Sequence, residues 1–201
     1  PKPPALMRDI IKFFTKSDGK IFDPFCGVGG TLLGASLAGG TRTAVGIELE
    51  QKFIDAYITV CEKEDIEKKT IIHDDSMNMM KYKEVAETTF DLILADPPYS
   101  DMMGKKRTGQ RKKLYNDDSA TPYSDKDVDL GNKGEDDFYE ALRNIMQLCY
   151  DRLKKNGYMV VFCKDFQPEP GNPHLLHADI INELTKIEGL EYRGMRIWHD
   201  Q

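Results

Sequence analysis

The sequence is poor in the side chains that build metal and redox centres, with four cysteines and four histidines in 201 positions. Cys26, Cys61, Cys149 and Cys163 are widely scattered, with no CxxC pair and no zinc spacing. That pattern points to reduced thiols in a cytoplasmic setting and to no metal site. No apolar run reaches about 18 residues, so no membrane span is expected. No secretory leader is visible in a chain that begins at Pro1. An excess of positive charge is missing too. The net charge of −6 does not by itself mark a nucleic-acid binder. Internal repeats are absent.

What is there is a hydrophobic fraction of 40% beside 31% charged residues, the balance of a soluble globular protein. The length fits one domain, residues 1–201, with ample chain for a core. Apolar residues at helical spacing predict helices over Pro4–Lys16, Gln51–Glu64, Phe138–Lys155 and Leu175–Ile187, and small residues predict one over Leu32–Ala38. Short apolar runs predict strands at Lys20–Asp23, Thr43–Glu48, Lys69–His73, Phe90–Ala95, Tyr158–Cys163 and Leu190–Trp198. About six strands alternating with helices mean an α/β fold with a doubly wound, mostly parallel sheet. Asn156-Gly157 is expected to stop the helix over Phe138–Lys155, and Lys164–Pro173, with three prolines, to be a loop. Met77, Met79 and Met80 are expected to fill gaps in the core.

The tips of the first four strands carry the chemistry. The first runs into Pro24-Phe25-Cys26-Gly27-Val28-Gly29-Gly30-Thr31, a glycine-rich turn before a helix, where a ligand can approach bare backbone and free N–H groups. The second ends in Glu48, about 20 residues on, where a carboxylate can accept from both hydroxyls of a ribose. After the third come Asp74, Asp75 and Ser76. Asp75 is the choice for receiving an adenine amino group, and Asp74 fits a surface position equally well.

The fourth strand ends in Asp96-Pro97-Pro98-Tyr99. Two prolines have no N–H for a ladder, so the strand must stop and leave on a stiff path. The Asp96 carboxylate and the Pro97 carbonyl can then accept from one amino group while the Tyr99 ring lies against whatever carries it. That suits an exocyclic NH2 on a planar base, although the tetrapeptide alone also fits a plain turn. In open α/β sheets all four tips face one crevice.

Residues 100–136 form a long polar segment with few large apolar residues, so no core is expected there. Its basic cluster, Lys105, Lys106, Arg107, Arg111, Lys112 and Lys113, could hold nucleic-acid phosphates, or simply pair with the acidic tract that follows.

Taken together, Asp23-Pro24-Phe25-Cys26-Gly27 with Gly29, and Asp96-Pro97-Pro98-Tyr99, resemble the cofactor and catalytic motifs of the nucleic-acid amino-methyltransferases that use S-adenosyl-L-methionine. Lys2-Pro3-Pro4 resembles their segment at the methionine end of the cofactor, and Arg196-Ile197-Trp198 the end of a late motif in the bacterial DNA members. The resemblance implies a Rossmann-like class I methyltransferase fold. It implies cofactor contacts from Pro4, Asp23, Pro24, Phe25, Cys26, Gly27, Gly29, Thr31, Glu48, Leu49, Asp75, Ser76 and Asp96. It implies catalysis by Asp96, Pro97, Pro98 and Tyr99 on N6 of adenine in DNA, with the base flipped out or already single-stranded. N4 of cytosine, N2 of guanine in RNA and an idle DNA-binding subunit are the alternatives. Selectivity beyond residues 100–136 would be slight or come from a partner, and the expected partners besides DNA are a specificity subunit or a second copy in a homodimer, in a setting such as restriction–modification, phage self-protection or regulation.

Overall fold

The computed structural model describes residues 2–98, 124–169 and 172–199. They fall into two compact units, Pro1–Phe162 and Cys163–Gln201.

In the first unit, α1 (Pro4–Phe14) opens on a proline, whose missing N–H is harmless in a first turn, and buries Met7 and Ile11. There follow β1 (Lys20–Asp23), α2 (Gly30–Ala38), β2 (Thr43–Glu48), α3 (Gln51–Lys63) and β3 (Thr70–His73). A 3-10 turn (Ser76–Lys81), the short α4 (Lys83–Ala86) and β4 (Phe90–Ala95) come next. After a second 3-10 turn (Leu130–Asn132) the unit ends with α5 (Glu135–Tyr150) and β5 (Leu153–Val161). The five strands pair in parallel in the order β3-β2-β1-β4-β5. Helices cover the sheet, so Ile21, Phe22, Leu92, Ile93 and Leu94 are fully buried, and the Phe22 and Phe90 rings stack 5.1 Å apart. α1 packs so tightly on α2 that a Cβ on Gly34 would sit 2.6 Å from Cβ of Met7. The strand order reverses between β1 and β4, and such a reversal opens a crevice beyond the strands' carboxyl ends.

Two expectations fail around β5. The helix ends at Tyr150 instead of Lys155, because Leu153 already pairs with Phe90 and the N–H of Phe90 donates to Arg152 O at 2.8 Å. Asn156-Gly157 therefore ends no helix. Asn156 lies at φ 64° inside β5, where the register against β4 shifts, and the pair forms a bulge. β5 is also only half-buried, since it is the last strand of the sheet. Met79 is fully buried, but Met77 and Met80 are exposed and fill no gap. The end of the polar segment does reach the core: Ser124, Asp129 and Leu130 are all buried.

The second unit holds a two-stranded antiparallel ribbon, β6 (Phe166–Glu169) and β7 (Asn172–His174), and α6 (Leu176–Leu184). The ribbon replaces the expected loop. Pro168 and Pro173 lie between its paired positions, where no N–H is required. α6 buries Leu176, Ile180 and Leu184. No strand forms over residues 190–198. Gly194 sits at φ 131°, Tyr192, Met195, Ile197 and Trp198 are exposed, and no ladder partner is found among the described residues. No helix among the described residues is long and apolar enough to cross a membrane.

Candidate active site

The glycine turn after β1 is braced from within. The N–H of Phe25 donates to Oδ1 of Asp23 at 2.9 Å, and the Thr31 hydroxyl donates to Oδ2. Gly27 and Gly29 have φ of 53° and 77°, the left-handed region that glycine enters without strain. A Cβ on Gly29 would lie 2.2 Å from Cδ2 of Tyr57, so α3 packs straight onto that backbone. At Gly27 a Cβ would meet nothing within 4 Å, so this stretch of chain faces open space. Cys26 packs beneath the turn, where a Cβ on Gly46 would meet its Sγ at 2.7 Å. Burial pushes the Cys26 thiol well up, so it acts as a small apolar side chain.

Glu48, at the tip of β2, ties this turn to the next loop. Its Oε2 accepts from the N–H of Gly27 and its Oε1 from the N–H of Glu50, both at 2.8 Å. Each oxygen keeps a second lone pair for a ligand. Burial raises the Glu48 carboxyl above its ordinary range and raises that of Asp23 to about 7, with Asp96 and Glu48 adding repulsion to the latter.

Beyond β3 the two aspartates divide. Asp74 is a local brace, accepting from the Tyr82 hydroxyl at 2.7 Å and from Nδ2 of Asn78 at 2.9 Å. Asp75 caps the 3-10 turn through the N–H of Met77 at 3.0 Å and faces the cavity. The Ser76 hydroxyl donates to the carbonyl of Pro24, fastening this loop to the glycine turn.

At the tip of β4 the backbone leaves the sheet at Asp96, and Pro97 and Pro98 follow without regular structure. Nζ of Lys2 lies 2.8 Å from both carboxylate oxygens of Asp96 and 5.2 Å from the centre of the Phe162 ring. The segment before α1 is thereby drawn across the crevice.

These tips enclose one cavity of about 300 Å³. Of the residues expected at a cofactor, Asp23, Pro24, Phe25, Cys26, Gly27, Thr31, Glu48, Leu49, Asp75, Ser76 and Asp96 line it, as do Pro97 and Pro98. Gly29 does not, because it is turned onto Tyr57, and Pro4 does not, because it begins α1 while Lys2 and Met7 take the wall. Tyr99 and the cluster Lys105, Lys106, Arg107, Arg111, Lys112 and Lys113 lie outside the described residues. Missed by sequence reasoning are Met7, Ile47, Glu50, Phe53, Val128, Asp129, Leu130 and Ile145, which also line it. The wall carries six carboxylates, from Asp23, Glu48, Glu50, Asp75, Asp96 and Asp129, and among the described lining residues Lys2 is the one cation. A ligand with cationic groups and several hydrogen-bond donors suits it.

Residues 1–59 match the model of the N6/N4 DNA methylase family. The fold is that of the class I methyltransferases. Its match to TrmN from Thermus thermophilus has a TM-score of 0.57 at 15% identity, over 90% of this chain and 41% of that one. A protein assigned as an rRNA methylase from Clostridium thermocellum also gives 0.57, at 18% identity over 95% of this chain and 84% of the other. A SAM-dependent methyltransferase from Agrobacterium tumefaciens gives 0.51, at 15% identity over 90% and 48%. The chain thus spans less than half the length of TrmN. No curated protein matches it in sequence.

Proposed function

We propose that this chain transfers a methyl group from S-adenosylmethionine to N6 of adenine in DNA. The observation that carries the reading is the meeting, in one cavity, of the braced glycine turn with Asp96-Pro97 at the tip of β4. The DNA methylase match over residues 1–59 supports it.

The cavity suits that cofactor. The backbone at Gly27 faces open space on the cavity wall and so leaves room for a ligand. Glu48, held by two backbone N–H groups, keeps lone pairs that can accept from the ribose, and Asp75 faces the cavity as an acceptor for the adenine amino group. The surplus of carboxylates complements a cofactor with a sulfonium and an ammonium. When bound, it supplies an electrophilic methyl group that needs neither a protein nucleophile nor a metal.

The chain's own residues position and desolvate the target. A base inside a duplex is out of reach, so it enters flipped or single-stranded. The carboxylate of Asp96 and the carbonyl of Pro97 accept from its NH2, which favours a pyramidal nitrogen with its lone pair turned towards the methyl. Asp96 also stabilises the positive charge that grows on nitrogen as the methyl carbon passes to it and the sulfur–methyl bond breaks, leaving S-adenosylhomocysteine. The surplus proton on nitrogen then goes to solvent. The amino group must displace Lys2, whose ammonium holds both Asp96 oxygens. Tyr99 stacks on the base, a contact worth roughly 1–3 kcal/mol. Phe25, on the cavity wall, shields the reacting atoms from water. Sequence selectivity rests on residues 100–136 or on a partner subunit.

The test is methyl transfer from labelled S-adenosylmethionine to unmethylated DNA and to unmodified tRNA, with products digested and weighed, beside Asp96→Ala. N6-methyladenine in DNA, absent with the variant, establishes the reading. N4-methylcytosine keeps the mechanism and changes the base. Label only in RNA guanine moves the substrate to RNA, and no transfer to either overturns the proposal.

A further inference from the structure

The buried Asp129 has no part in the chemistry above. It lies in the stretch 124–132, which is fastened to the loop after β2 at three points. The Ser124 hydroxyl donates to Oε1 of Glu50 at 2.7 Å, and Nζ of Lys126 reaches Leu49 O at 2.6 Å and Oε1 of Glu50 at 3.0 Å. Nδ2 of Asn132 closes the stretch on itself, 3.0 Å from the carbonyls of Ser124 and Lys126. So held, it presents Val128, Asp129 and Leu130 to the cavity.

Asp129 is only 6% exposed. Its Oδ1 accepts from the N–H of Gly131 at 2.9 Å, and among the described residues that is its one hydrogen bond. Capping a single 3-10 turn needs one oxygen, which a serine supplies equally well. It does not account for a second carboxylate oxygen beside an open cavity: Lys126 and Lys52 favour its charge through space, but burying an oxygen without a hydrogen bond is costly. Burial indeed raises the Asp129 carboxyl. The stretch is tied to Glu50, whose N–H donates to Glu48, so Asp129 and Glu48 line the same cavity from neighbouring loops, and the charge of Asp129 opposes the ionisation of Glu48. Glu48 has already given one lone pair on each oxygen to backbone N–H groups.

We infer that Asp129 is a second ribose-binding carboxylate, which takes one hydroxyl of the cofactor's cis-diol while Glu48 takes the other. The inference rests on the cofactor reading above. It explains why a predominantly acidic, outwardly featureless tract folds against the tip of β2: the stretch brings a hydrogen-bond acceptor to a ligand with two adjacent donors.

The experiment is calorimetric titration of S-adenosylhomocysteine, followed by its displacement with adenosine, 2′-deoxyadenosine and 3′-deoxyadenosine. Wild type, Asp129→Ser and Asp129→Asn are compared. Both variants can still cap the 3-10 turn, and thermal melting checks their fold. Wild type should bind adenosine roughly tenfold more tightly than each deoxyadenosine, the size expected for a charged hydrogen bond. In both variants one of the two preferences should shrink to less than about threefold, with the other intact. Folded variants that keep both preferences reduce Asp129 to a cap and overturn the inference, leaving the cofactor reading standing. Loss of both preferences together also overturns it, since the two hydroxyls would then not be divided. If wild type binds no S-adenosylhomocysteine, the cofactor reading falls and takes this inference with it.

Discussion

Asp96 and Asp23 sit at the tips of adjacent strands, β4 and β1, and their surroundings assign them different work. Asp96 is a quarter exposed and paired with Lys2, an arrangement that an incoming amino group can replace. Asp96→Ala should lower methyl transfer by roughly 10²–10⁴-fold. Binding of S-adenosylhomocysteine should stay within a few-fold, as judged by calorimetry. Because the pair is partly solvated, Lys2→Met should change unfolding free energy by less than about 1 kcal/mol. Asp23 is sealed among its own hydrogen-bond partners, and burial raises its carboxyl to about 7. A raised folded value means that the fold prefers the protonated form. Its contribution to stability is therefore full below the unfolded value near 4 and is lost as pH rises through about 7. Asp23→Asn does not titrate. In urea denaturation its stability relative to wild type should improve by on the order of 4 kcal/mol between about pH 4 and about pH 7. A flat difference across that range would mean that Asp23 ionises freely in the folded protein.

At the scale of the element, the turn after β1 and the bulge in β5 both depend on left-handed backbone, but for different reasons. Gly29 is pressed against Tyr57, so Gly29→Ala meets a clash as well as an unfavourable φ. It should cost upwards of about 2 kcal/mol and loosen α3 from the turn. Asn156 meets only the backbone constraint. Asn156→Val should cost about 1–2 kcal/mol and Asn156→Gly well under about 1 kcal/mol in chemical denaturation. Equal costs for the two would show that the side chain at this position, and not its φ, decides the bulge. Element boundaries were legible wherever an apolar run met a stiff motif. β1, β2 and β4 end where the sequence says, at Asp23, Glu48 and Ala95. The start of β5 was hidden because Leu153 continues the helical spacing of α5, and only pairing with Phe90 makes it a strand.

For the whole molecule, a net charge of −6 sets the terms for meeting a polyanion. A DNA substrate then calls for a local excess of cations, and the sequence offers one in Lys105, Lys106, Arg107, Arg111, Lys112 and Lys113. Replacing all six with neutral residues should weaken DNA binding. Its salt dependence should flatten by roughly 0.9 in log–log slope for each phosphate that is no longer neutralised. Unchanged affinity and slope would leave the cluster a solvated run paired with neighbouring acids.

By itself the sequence determined the α/β alternation and which residues stand at four strand tips, because periodicity and rigid motifs are local properties of the chain. It also determined that Glu48, Asp75 and Asp96 share one crevice, since parallel strands bring their carboxyl ends to one side. Only the tertiary structure decided what closes that crevice. Lys2 is 94 residues from Asp96, and Ser124 is 74 residues from Glu50. Asp129 lies in a tract whose composition reads as solvated charge, and nothing local sets it apart. Its burial follows from the fastening of residues 124–132 to the end of β2, a long-range contact with no periodic signature. The reverse case is Leu190–Trp198, which has the residues of a strand but forms none among the described residues, because a strand exists only where another supplies its ladder.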